Sequence, residues 1–277
     1  MRKTLLLLAL LFALENSAFA TWSVIAIDKS TGRVAMAAAS CVNTDDEAMR
    51  IAIAVIVPGV GVAACQAGAD GTHQNQMIVF QELQKGTDPK RIIELLSADP
   101  GFQGRQFGIL DMQGRYSSHS GLTNSFEAKA VTGQVPGTEI FYAVQGNTIK
   151  YGAIAKAAQA FVTAKGALTD RVMAALETGD LNGGDVRCAC PKPPADGSKP
   201  PIPCDNLTAY VSFIIMAEPT DSSGDSHNDG KYALYLRVSQ PNDSRPHSVK
   251  AGESLNPVKT LRLRYDVWRK TQPATYK

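Results

Sequence analysis

From residue 21 onward the chain opens with strand-like patterning. Thr21 to Asp28 (TWSVIAID) and Arg33 to Ser40 (RVAMAAAS) are rich in β-branched, aromatic and small apolar residues, and Lys29 to Gly32 separates them as a turn. Ile51 to Val57 and Val60 to Ala67 predict a second strand pair around Pro58-Gly59. These runs are apolar at odd and even positions alike. A strand with one wet face would alternate, so both faces of these strands must be covered, as in an inner sheet of a layered fold.

Helical spacing comes next. Thr72 is placed to cap a helix with Met77, Phe80 and Leu83 on one face and Gly86 as its stop. Asp88-Pro89 is a cap followed by a first-turn proline, with Ile92, Ile93 and Leu96 on one face. Strands return at Gln106 to Asp111, Tyr116 to Ser120 and Ile140 to Gln145. Two more helices are expected over 149–165 and 170–178, the second with Thr169 as cap and Gly179 as stop. Thr208 to Ala217 and Tyr232 to Val238 read as strands, and Val258, Leu261, Tyr265 and Trp268 share one face of a last helix over 254–271. This order predicts an α+β fold in four layers, αββα, with two sheets face to face and helices outside each, and it argues against a doubly wound parallel sheet.

The first 20 residues have a different pattern. Met1-Arg2-Lys3 is a positive tip, Leu5 to Leu14 is an apolar run, and Ala18-Phe19-Ala20 is a small-x-small box. Charge, short apolar run and cleavage box in that order predict a signal peptide over 1–20, a single domain over 21–277 and a periplasmic or secreted protein. The apolar run is too short to span a bilayer, which takes about 20 residues as a helix. No membrane association is expected once the signal is removed.

Charge and cysteine content narrow the picture. A formal charge of +2 over 277 residues creates no bulk field for nucleic acid or anionic lipid. With nucleic acid and membrane set aside, the expected partner is a small molecule or peptide, with self-association left open. Export makes disulfides possible. Cys188, Cys190 and Cys204 bracket a Pro-rich insert over 188–204, which predicts a bridge from Cys204 to Cys188 or Cys190. No His has zinc-ligand spacing to this trio, and no glycine pattern follows a strand and opens a helix as a dinucleotide or phosphate loop needs, so neither a metal nor another cofactor is expected.

Cleavage after Ala20 would leave Thr21 with a hydroxyl and a free α-amine on one residue. An α-amine has an ordinary pKa of about 7.7–8.0, so it can serve as base for its own hydroxyl near neutral pH. Any exported chain has some first residue, but here a strand begins at once, with no linker. There is no Gly-x-Ser-x-Gly elbow and no His pair of zinc-protease spacing. Cys41 and Cys65 read as buried or bridged.

The stretches TWSVIAIDKSTGRVAMAAAS (21–40), GVGVAACQAG (59–68), RQFGILDMQGR (105–115), HSG (119–121), YAVQGN (142–147) and GGDVR (183–187) resemble a bacterial domain-of-unknown-function family assigned to the N-terminal-nucleophile (Ntn) hydrolase superfamily. The resemblance implies the αββα sandwich, Thr21 as nucleophile and its amine as base. Oxyanion donors are then required, and Asn147, Gln145 and Gln66 are candidates; each can equally be turn architecture. Asp185 and Arg187, after two glycines, can hold an amino-acid-like substrate or pair with each other. Ser40 can orient Thr21 or cap a turn. The chain departs from the family where Leu207-Thr208-Ala209 replaces a Gln-Ser-Ala stretch.

Two functions remain in competition: an exported amidohydrolase cleaving a peptide or non-peptide C–N amide bond, and a non-catalytic periplasmic binding or envelope protein that retains the fold. Fold alone does not separate them.

Overall fold

A computed structural model describes residues 21–188, 207–240 and 247–273. The described residues form a mixed α/β structure with ten strands, six α-helices and two sheets, in which every strand pair is antiparallel. The first two strands, β1 (Thr21–Asp28) and β2 (Arg33–Ser40), and the turn between them lie where the apolar pattern places them.

The larger sheet runs β10-β9-β2-β1-β8-β7 and the smaller β3-β4-β5-β6. In the smaller sheet β3 is Ala54–Val57, β4 is Gly61–Ala67, β5 is Arg105–Asp111 and β6 is Tyr116–Ser120. In the larger sheet β7 is Lys129–Gln134, β8 is Ile140–Asn147, β9 is Val211–Ala217 and β10 is Leu234–Ser239.

Side-chain alternation explains why the inner strands are apolar throughout. Ile25 and Ile27 of β1 pack with Val62, Ala64 and Leu110 of the smaller sheet. Trp22, Val24 and Ala26 point the other way, onto α4 (Ala153–Thr163) and α5 (Leu168–Leu181). Beyond β9 and β10, α6 (Pro257–Thr271) completes that outer layer with Val258, Leu261 and Tyr265. The smaller sheet buries its other face, including Val55, Phe107 and Ile109, under α2 (Gln74–Gln84) and α3 (Pro89–Leu96).

Several elements differ from expectation. Ile51 to Ile53 belong to a helix, α1 (Asp46–Ile53), instead of a strand. Asp45 caps it by accepting from the Ala48 backbone N–H, and Asp46 and Glu47 add negative charge to its first turn. Strand β7 sits at a sheet edge with every residue at least partly exposed, so it has no apolar run to announce it. Thr72 does not cap α2; His73 precedes the helix in a left-handed conformation, and Asp70 accepts from Thr72 and Asn75.

Thr169 and Gly179 were expected to bound α5 but lie inside it. Gly179 does not stop the helix because tertiary packing places it against the Trp22 indole, which donates from Nε1 to the Leu176 carbonyl at 3.2 Å. A Cβ at position 179 would lie 2.5 Å from Trp22 Nε1. Alanine should favour the helix by about 1 kcal/mol, but overpacking of this kind costs about 1–3 kcal/mol. Gly179→Ala should therefore lower stability in a denaturant titration, and a stabilised variant would show that the contact is loose.

Candidate active site

One end of the inter-sheet space is polar. β1 begins there, β2 and β8 end there, and in the facing sheet β4 ends and β5 begins there. The register places Thr21 opposite Ser40 on one side and Asn147 on the other. Thr21 and Ser23 share the face that carries Ile25 and Ile27, so they continue an apolar layer with hydroxyls. Gln145 and Asn147 of β8, Gln66 of β4 and Gln106 of β5 complete the cluster, and all of these side chains are buried.

Hydrogen bonds order this polar end. Thr21 Oγ1 lies 3.3 Å from Ser40 Oγ. Gln66 Nε2 donates to the Thr21 carbonyl at 3.0 Å and to Gln106 Oε1 at 2.8 Å, while Gln66 Oε1 accepts from Ser23 Oγ at 2.7 Å. Gln106 Nε2 donates to Ser120 Oγ and to the Gly146 carbonyl, both at 2.9 Å. Asn147 Nδ2 donates to Gln106 Oε1 at 3.1 Å. Gln106 thus ties four strands together at this end.

The candidates from the sequence fall into separate roles. Gln66 already uses both N–H groups on Thr21 and Gln106, so its geometry is that of a clamp on the Thr21 main chain. Asn147 keeps one N–H beyond its bond to Gln106. Gln145 lies one layer deeper, level with Ser23, and its amide sits over Gly108, where a Cβ would be 2.3 Å from Gln145 Oε1. Ser40 touches Thr21 and also accepts from the Val42 backbone N–H at 3.1 Å.

Gln106 and Ser23 were not singled out from sequence. The available signal was a polar side chain on a strand face that continues with non-polar residues: Ser23 before Ile25 and Ile27, and Gln106 before Gly108 and Leu110. Ala67 and Thr148, which directly follow Gln66 and Asn147, have φ of 70° and 56°. The left-handed region is unfavourable for a β-branched residue such as Thr148, and strained backbone of this kind clusters at functional sites.

Asp185 and Arg187 form the mutual pair that was one of their two expected readings, at 2.7 Å between Oδ2 and Nη2. Asp185 also accepts from the Arg187 and Cys41 backbone N–H groups. The buried carboxylate is saturated by protein donors and anchors the loop after α5 to the residue that follows Ser40.

That anchoring accounts for a correction. Cys188 is bridged to Cys41, with Cα atoms 5.3 Å apart, and not to Cys204. Adjacency along the chain suggested a bridge closing the insert, but the fold brings the end of β2 against Cys188. Cys190 and Cys204 lie outside the described residues. Cys65 is buried on the helix-facing side of β4, where desolvation, helped by Asp70, pushes its thiol pKa up; it is not a poised nucleophile. Among the described residues no His, Cys, Asp or Glu cluster is arranged to hold a metal, and no helix is long and apolar enough to cross a membrane.

A family model described as "Family of unknown function (DUF1028)" matches residues 21–190, more than half of the chain and starting at Thr21 itself. The chain belongs to the DUF1028 family. A crystal structure of a DUF1028 protein from Silicibacter pomeroyi is similar with a TM-score of 0.62 and 18% identity, over 92% of this chain and 91% of that one. At that identity the likeness shows a shared fold. No curated protein matches the chain.

Proposed function

We propose that the mature DUF1028 chain begins at Thr21 and is an exported amidohydrolase of N-terminal-nucleophile type. In this reading the two facing sheets and their outer helices are the αββα sandwich of that superfamily. The observation that carries it is the setting of Thr21: the first residue of a central strand, buried at the polar end of the inter-sheet layer, with its hydroxyl on Ser40 and its carbonyl clamped by Gln66. A merely terminal residue has no need of such a setting.

The chemistry follows from the two groups on Thr21. The α-amine takes the hydroxyl proton as Oγ1 attacks the amide carbon, giving a tetrahedral oxyanion. The free N–H of Asn147 is the side-chain donor available to it. Collapse breaks the C–N bond, the amine product leaves with the proton held by the α-amine, and the acyl group remains as an ester on Thr21. The α-amine then takes a proton from water, whose attack on the ester releases the acid and restores Oγ1–H.

The test is a panel of peptide and acyl-amine amides offered to protein starting at Thr21 and to protein with one residue added before it. Hydrolysis is expected only from the first. Equal hydrolysis by both would refute the mechanism, and binding without turnover in both would favour a non-catalytic role.

A further inference from the structure

Among the described residues, Asn147 Oδ1 is a buried oxygen that accepts no hydrogen bond. Buried polar atoms rarely lack a partner, so each one that does asks for a reason; Gln145 Oε1 and Thr148 Oγ1 at the same end share this state, and Asn147 is the one paired directly with Thr21. Its orientation is forced by its neighbours. The Gly146 carbonyl can only accept, which turns the Gln106 NH2 group toward it and the Gln106 oxygen toward Asn147. Reversing the Asn147 amide would set two carbonyl oxygens 3.1 Å apart. The network therefore aims the nitrogen of Asn147 at Gln106 and leaves its oxygen unused.

The residue directly opposite Asn147 in the sheet is Thr21, and the two side chains share the inter-sheet face. Directly paired residues have Cβ atoms about 4.5–5.5 Å apart, so the Asn147 side chain stands beside the strand end that carries the Thr21 main-chain nitrogen. Resting on the reading that Thr21 is the mature first residue, we propose that Asn147 is the positioning residue of the Thr21 α-amine, its Oδ1 accepting one hydrogen of that amine. The bond steers the nitrogen lone pair toward Thr21 Oγ1. A neutral acceptor suits this task, because a carboxylate there would hold the amine protonated and unable to act as base.

Among the described residues, the charged groups around this end have other partners. Asp185, from the loop after α5, is paired with Arg187; Glu127, before β7, with Lys129; and Asp99, beside β5, with Arg105. Asp180 of α5 accepts from Thr208 and Asn256.

The test is the titration of the Thr21 amine, followed through the ¹³C shifts of Thr21 in mature, threonine-labelled protein, which needs no substrate. Asn147→Ala and Asn147→Leu should both lower the amine pKa, since each removes the acceptor while Gln66 still donates to Gln106 Oε1. A fall in both would support the assignment, and if one variant does not fold the other decides. A Thr21 amine whose pKa is unmoved or raised in either folded variant overturns the assignment and leaves the proposed function standing. A mature chain that does not start at Thr21 overturns both.

Discussion

Thr21→Ala should lower amide hydrolysis by a factor on the order of 10⁶, the scale seen when a hydroxyl nucleophile is deleted from another hydrolase. The fold should survive, because the change removes only the hydroxyl, which contacts Ser40, and one methyl group. A neutral hydrogen bond contributes about 1 kcal/mol. Thr21→Ser keeps both hydroxyl and amine and should retain part of the rate, losing only the methyl that restricts χ1. The wild-type rate should fall about tenfold per unit as pH drops below the amine's pKa, ordinarily about 8, since a protonated amine cannot accept the hydroxyl proton. Steady-state rates across pH for these variants, with circular dichroism to confirm folding, check the set. Full activity in Thr21→Ala would move the chemistry to another residue.

The largest expected effect on stability belongs to the bridge between Cys41 and Cys188. It links residues 147 apart in sequence, so it restricts the unfolded chain strongly. Chain-entropy reasoning for a loop of that size gives about 5 kcal/mol, and removing native bridges typically costs about 2–5 kcal/mol. Replacing both cysteines by serine should lower the unfolding midpoint by a corresponding amount, and a reductant should do the same to the wild type alone. The loss should be felt at the polar end, because Cys41 follows Ser40 and the Cys188 loop rests on Asp185. Non-reducing peptide mapping should join the Cys41 peptide to the Cys188 peptide. A Cys188–Cys204 link in its place would contradict this arrangement.

The elements that bury apolar residues on both faces were legible from sequence. β1 and β2 begin and end where their patterns do, and α3 starts at Asp88-Pro89 as its cap requires. What escaped depends on partners distant in sequence. α1 ends in Ile51 and Ile53, which run on in sequence into the β-branched residues of β3, and its acidic first turn was the stronger signal. Gly179 reads as a stop until Trp22 is known to lie against it. At the candidate site, Thr21 and the polar strand ends could be named from composition and resemblance. Gln106 could not, because its importance lies in contacts with β4, β6 and β8 that only the packing of the two sheets creates. Asp185 and Arg187 had two readings because adjacent opposite charges fit a ligand or each other equally well, and the Cys41 backbone N–H completes the protein's own set of donors.

Every step of the proposed chemistry requires that the α-amine and hydroxyl of Thr21 belong to the same terminal residue. The intact mass of the protein recovered from the periplasm and the medium of cells expressing the full sequence measures this directly. Loss of residues 1–20, leaving Thr21 first with an unmodified amine, is the predicted result. A mature chain beginning at Phe19 or Trp22, or a blocked Thr21 amine, would contradict it.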